Sequence, residues 1–465
     1  MTLPHGFTVR VTGDRLSTRS GEVVVGGSPL TAMRLTSRAQ QMFTVGAVTV
    51  ADPATEHLAR RLLATNLGHP DLGALPSTDT SELTVVIPVR DRAEQLGRAL
   101  GALPGLRCIV VDDASHDPAL VASVCDSHGA DRVPLDHNVG PAAARNAGLA
   151  LVTTPYVAFV DSDVQIAASD LLYLTRHFTD PTVALVGPRV VGRSTAAHPR
   201  WFEKYDEFAS SLTLGLMPSN VRPGAAVAWL PSACLVGRVD ALGDGFDPTL
   251  RVGEDVDLVW RLVNDSHGVR YDPAITAHHD TRPTIRGWLG RKFVYGRGGA
   301  VLAVRHGNKV APAVLTPPYA AAAAALLLRS PWSLPLSTAA LALGSRNVHA
   351  ALPPTPDRGA IAARVAARGL GWAVRQEAAL ALRHWWPATV VAAVFSRRAR
   401  RMIVTALAVD TAVAFATRPR LARGVSPLQV ISGRRLDDLA YGAGLWAGSI
   451  AQATPRALFV RRPSS

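Results

Sequence analysis

Between residues 83 and 160 the chain alternates unbroken apolar runs with helix-patterned stretches, and this alternation restricts its fold more than any other feature. The runs Leu83–Pro88, Arg107–Val111 and Tyr156–Val160 are rich in β-branched residues and carry almost no polar interruption. A strand that reads apolar at every position is buried on both faces, which is the condition of a mostly parallel sheet covered by helices. The intervening stretches Ala93–Leu103, Ala119–His128 and Ala142–Val152 supply those helices. An α/β fold is therefore expected over residues 82–300. Ligands of such sheets bind beyond the carboxyl ends of the strands. Asp91, Asp112, Asp113, Asp161 and Asp163 all fall at that rim.

Asp161-Ser162-Asp163 stands directly behind the third run. Two carboxylates one residue apart at a strand end suit a hard divalent cation, which takes oxygen ligands and often shares them with substrate phosphates. Alone, such a triplet is as readily a solvated loop. Arg145 adds a fixed cation that either holds a phosphate, orients an aspartate or only pins its helix. Glu254-Asp255-Val256-Asp257 opens another helix, where carboxylates also answer the macrodipole; Asp257 is read as doing no more than that.

The formal charge of +13 invites an anionic partner. Its arginines concentrate after residue 285, among them Arg397, Arg398, Arg400 and Arg401, and aromatic platforms interleaved with lysine are missing. A nucleic-acid partner is not expected. Cys108, Cys125 and Cys234 are odd in number and lack metal-ligand spacing, so they read as buried thiols of a cytosolic catalytic domain. No signal peptide is read at the N-terminus.

Three zones follow from composition. Residues 1–78 form a small N-terminal module, winged-helix-like, with strands near Phe7–Val11 and Glu22–Val25 and helices near Thr36–Phe43 and Ala54–Leu67. It acts either as a docking element or as a cap on the catalytic sheet. Gly68–Ser81 reads as a linker. Residues 301–465 are alanine-rich and arginine-punctuated. A spanning helix needs roughly 20 mainly apolar residues, and prolines interrupt the uncharged stretches here. These helices span a membrane, lie on it, or pack as a helical domain in water. The basic clusters favour an anionic membrane surface, with the catalytic domain at its cytoplasmic face.

The motifs together resemble family 2 glycosyltransferases of GT-A fold. Val85–Arg90 and Ile109–Ser115 match the family's opening strands. Asn138–Gly148 matches N-x-G-x-x-x-A-R-N-x-G, Asp161–Asp163 matches D-x-D, and Glu254–Leu262 matches E-D-x-x-L-x-x-R-L. The resemblance implies an inverting, metal-dependent transfer of a sugar from a nucleotide donor. It assigns donor contacts to Pro88, Val89, Asp112, Asp113, Arg145 and Asp161. It assigns a divalent metal (Mn2+ or Mg2+) to Asp163 with His278 or His279, and the general base to Asp255, with Glu254 second. Trp288 and Arg291 replace the Q-x-x-R-W of processive members; Trp288 is expected to stack on an acceptor ring and Arg291 to meet a pyrophosphate or the acceptor.

Both ends of the chain are also similar to glycosyltransferases of mycofactocin biosynthesis, through Leu3–Phe7, Gly26–Pro29 and Arg435–Trp446. That resemblance implies glucose from UDP-glucose, added in β-1,4-linked units to a small peptide-derived acceptor, with pathway proteins docking on residues 1–78. The rival readings are a cell-envelope glycosyltransferase with a lipid-linked or polysaccharide acceptor, and an inactive scaffold of the same fold.

Overall fold

In the computed structural model, residues 2–416 and 424–462 are described. A nine-stranded sheet organises the middle of the chain. Its first half runs Asp131–Pro134, Arg107–Asp112, Leu83–Val89, Tyr156–Val160, and all these neighbours are parallel. Beyond Tyr156–Val160 the sheet becomes mixed: Cys234–Arg238 is antiparallel to both Tyr156–Val160 and Val183–Arg193, while Gly268–Asp280 runs parallel to Val183–Arg193. Successive residues feed opposite faces. Val85 and Ile87 enter one apolar cluster with Leu96, Val110 and Leu171. Val86 enters the other with Val111, Phe159 and Leu258. Covering both faces explains the unbroken apolar runs, and the helices Ala93–Gly101, Pro118–His128 and Pro141–Leu149 lie where the pattern predicts them.

The N-terminal module holds two three-stranded antiparallel sheets and the helices Ser37–Val45 and Pro53–Ala64 around a core of its own. Gly68–Pro70, read as the start of a linker, is instead a strand paired with Thr8–Val11. A three-residue edge strand containing Gly and Pro leaves no apolar alternation for a sequence to show.

The helix Ile285–His306 runs through the boundary expected near residue 300. Its partner is the helix Pro427–Ala451. The two approach at backbone distance, because a Cβ on Gly296 would lie 2.0 Å from the Tyr441 carbonyl oxygen and one on Gly444 1.9 Å from that of Phe293. Only glycine permits that seam. Buried Lys292 crosses it to Asp437 at 3.0 Å and also meets Asp206 at 3.2 Å. The helical region is thereby fastened to the catalytic domain.

Among the described residues no single helix is long and apolar enough to cross a membrane; Arg358–His384 and Trp386–Phe395 pass that test only as a pair, bent by 89°. Asp410, in the second half of the helix Arg397–Ala416, is buried and paired with Arg434 at 2.6 Å and with Arg435.

Candidate active site

A cavity of about 1000 Å3 opens at the carboxyl ends of the parallel strands. It lies at the upper end of the ~300–1,000 Å3 usual for ligand pockets. Pro88 and Val89 line it from the end of their strand, and Asp113 lines it from the next. Asp113 accepts the backbone N–H groups of Val139 and Gly140 at 2.7 and 3.0 Å, so it also shapes the loop that leads into Pro141–Leu149. Asp112 is buried and accepts the N–H of Ser115 at 3.0 Å. It does not line the cavity, which leaves Asp113 as the carboxylate of that strand end facing a ligand.

Arg145 joins the D-x-D and E-D motifs. Its guanidinium is 2% exposed, which removes any solvent-exposed role, and it contacts Asp161 at 2.5 Å and Glu254 at 3.1 Å. It also lies 5.3 Å from the centroid of the Phe246 ring. The cation orients carboxylates, as one of the expected alternatives has it. Glu254 further accepts the Ser232 hydroxyl at 3.2 Å. With both partners in place, Glu254 is a buried anchor.

Asp255 is treated differently. It is half-buried on the cavity wall and accepts two backbone N–H groups, from Ser232 at 3.2 Å and Val256 at 2.8 Å. Among the described residues no basic side chain forms an ion pair with it. Loss of water and the neighbouring Glu254 charge push its pKa up to about 7. A carboxylate poised there is matched to proton abstraction near neutrality. The helix that carries it starts at Gly253, whose φ of 86° and contact with Leu302 suit glycine. Asp257 exceeds the role read for it: it is fully buried and holds Arg261 at 2.8 Å, Arg305 at 2.8 Å and His306 at 2.9 Å, tying its helix to Ile285–His306.

Asp163 is buried and ringed by cations. Arg92 contacts it directly, Arg282 stands at 3.5 Å and His279 Nε2 at 3.7 Å. Burial opposes its charge, yet His279, Arg92 and Arg282 hold its pKa below the ordinary carboxylate value. His279 also lines the cavity, whereas neighbouring His278 falls on the other face of its strand. Burial, Arg193 and Arg189 lower the pKa of His278. Among the described residues no three His, Cys, Asp or Glu side chains form a ready cation cage. Asp163 and His279 Nε2, 3.7 Å apart, are the two expected oxygen and nitrogen ligands that the fold brings together, although Arg92 contacts the carboxylate and Asp163 itself does not line the cavity.

Trp288 does not reach the cavity. It is 1% exposed, which rules out stacking on a substrate, and packs against Trp201, Phe202 and Tyr205 while its indole N–H donates to Asp206 at 3.1 Å. The helix Trp201–Ala209 covers the face on which an acceptor was expected. Arg291 does line the cavity, over the ring of Tyr295, on the side of Asp161 and Asp163. That places it with Arg92 and Arg282, the other arginines beside Asp163.

Sequence reasoning missed Arg92 and Arg282, two arginines beside Asp163, although Arg92 adjoins Asp91 and Arg282 follows His279 by three residues. It also missed Tyr441 and Arg383, which enter the cavity from the helical region.

Residues 84–224 match the family described as Glycosyl transferase family 2. A pre-mycofactocin glycosyltransferase of Mycobacterium tuberculosis (strain ATCC 25618 / H37Rv) is 39% identical, with 98% of each chain covered. The succinoglycan biosynthesis protein ExoU of Rhizobium meliloti (strain 1021) is 26% identical over 41% of this chain and 59% of its own. A solved mannosyltransferase of Pyrobaculum calidifontis, in complex with GDP-Man and Mn2+, shows 21% identity and a TM-score of 0.38, covering 74% of this chain and 89% of its own. The chain belongs to glycosyl transferase family 2. It is a glycosyltransferase enzyme, and the mixed sheet with its rim cavity is its GT-A catalytic domain.

Proposed function

We propose that this enzyme transfers glucose from UDP-glucose, in β-1,4-linked units and with inversion, onto the peptide-derived precursor of mycofactocin. The observation that carries the reading is the full-length similarity to a pre-mycofactocin glycosyltransferase, which includes the N-terminal module and the helical region. Asp255 supports the inverting chemistry. Its carboxylate takes the acceptor hydroxyl proton as that oxygen attacks the anomeric carbon, and the bond from that carbon to the diphosphate breaks with its electron pair leaving on UDP.

Negative charge then grows on the diphosphate, where Arg92 and Arg291 can meet it from the cavity wall, with Arg282 3.5 Å from Asp163 adding to the positive field. A divalent cation held by Asp163 and His279 would supply Lewis-acid neutralisation of the same leaving group. Asp113 and Asp161 border the donor end and are suited to hydroxyl or base N–H donors.

The enzyme works at the cytoplasmic face of the membrane in this proposal. Phe395 is 85% exposed and Val394 67%, which is costly in water unless an apolar phase covers them. They directly precede Arg397, Arg398, Arg400 and Arg401, which suit anionic headgroups. Residues 1–78 serve as a docking element for a pathway protein.

Calorimetry with UDP and Mn2+ tests the donor half. Asp163→Ala is expected to weaken UDP binding about tenfold or more when Mn2+ is present and to lose most of the difference that Mn2+ makes. Equal affinity in the variant and the unaltered protein would remove Asp163 and the cation from the mechanism.

A further inference from the structure

We propose that the helical region supplies the acceptor subsite, with Tyr441 as its specificity-determining residue, and that this subsite takes a neutral compound whose reacting hydroxyl is carried on or beside a ring. The inference rests on the reading of Asp255 as the base. Strand-end residues of the catalytic sheet, with Arg92 and Arg291, account for the part of the cavity wall that meets a nucleotide diphosphate. Asp255 lines the cavity too, and the stretch just before it packs on the helix that carries Gly298 and Gly299, since a Cβ on Gly298 would lie 2.2 Å from Val252 and one on Gly253 2.9 Å from Leu302. Tyr441 and Arg383 line the same cavity from the helical region. Nothing in the donor chemistry uses these residues.

Tyr441 is held as a binding wall should be. Its helix is locked against Ile285–His306 by the glycine seam, so its backbone cannot drift. The Arg383 guanidinium lies 3.9 Å from the ring centroid, and His384 meets the ring edge-on at 5.7 Å. Arg383 is itself tied to Asp437 at 2.8 Å and Asp438 at 2.9 Å. Its charge is spent on those carboxylates, so what it presents towards the cavity is a propped phenol ring. The floor beside that ring is left open by glycine, since a Cβ on Gly299 would lie 3.8 Å from the Tyr441 hydroxyl. Trp229 and Tyr295 line the same cavity. Aromatic walls with a hydroxyl tip favour ring-bearing, hydroxylated ligands through stacking and one directed hydrogen bond.

The test compares the full chain with Tyr441→Ala and Tyr441→Phe, using UDP-glucose, Mn2+ and pre-mycofactocin. Tyr441→Ala is expected to raise the acceptor KM about 3- to 10-fold, with the UDP-glucose KM held within about twofold. Without acceptor, its hydrolysis of UDP-glucose is expected to rise, because removing the wall admits water to the anomeric carbon. Tyr441→Phe keeps the ring over Arg383 and should recover most of both effects. Should the alanine protein melt early, Tyr441→Leu repeats the comparison with the space filled. An unchanged acceptor KM together with unchanged hydrolysis overturns the inference. If the unaltered enzyme hydrolyses UDP-glucose but glycosylates no pre-mycofactocin, the acceptor named under the proposed function falls, and the hydrolysis comparison alone decides the role of Tyr441. An enzyme that does neither overturns both.

Discussion

Two consecutive acidic pairs sit on helices that border one cavity, and the fold treats them in opposite ways. In Asp437-Asp438, Arg383 reaches both carboxylates, Lys292 adds a contact to the first and Arg435 one to the second. In Glu254-Asp255, Arg145 and Ser232 satisfy the first, while the second has only backbone donors. Burial pushes Asp438 up in pKa, and Arg383 and Arg435 pull against it; Asp255 has no such partner and reaches about 7. The difference separates fastening from chemistry. A buried carboxylate with an ion-pair partner holds helices together, and one left without a cation is available to move a proton.

The comparison is broken most directly at Asp255. Asp255→Asn is expected to lower transfer by ~100-fold or more while UDP binding persists, as measured by product mass spectrometry and calorimetry. Retained transfer would move the base elsewhere.

At the fastening pair, Lys292→Met leaves Asp206 and Asp437 short of a buried partner and should cost about 3 kcal/mol of stability. Thermal or denaturant unfolding reads that loss, and the folded fraction should still bind UDP. A variant as stable as the parent would show that the glycine seam needs no ionic help.

The pH profile gives the smallest and most specific effect. As the proposed base, Asp255 can take a proton only when ionised, and its pKa is raised to about 7. Transfer should therefore be low on the acid side and rise about tenfold between pH 6 and pH 8. A rate already level below pH 6 would mean that Asp255 ionises like an ordinary carboxylate.

The catalytic sheet was legible because its strands are buried on both faces and are marked by apolar runs that need no partner to be recognised. The same holds for the D-x-D and E-D segments, where chemistry is compressed into a few adjacent residues. What stayed hidden depends on distant chain. Trp288 looks like a ring for an acceptor until the helix Trp201–Ala209 is seen to cover it. Arg92 and Arg282 are unremarkable in sequence and converge on Asp163 only through folding. Tyr441 lies within Arg435–Trp446 with nothing to mark it as a cavity residue, until Gly296 and Gly444 are seen to form the seam that sets its helix beside the cavity. His278 and His279 are indistinguishable in sequence, and only the fold separates them, by bringing His279 Nε2 to 3.7 Å from Asp163 and onto the cavity wall.

The seam also sets an order of assembly. Domains fold broadly as they leave the ribosome, and Pro88, Asp113 and Asp161 emerge long before Tyr441. A growing chain can thus complete the nucleotide end of its cavity while the opposite wall is still being synthesised. The last long helix acts as a finishing step, since Tyr441 joins the cavity wall only with its arrival.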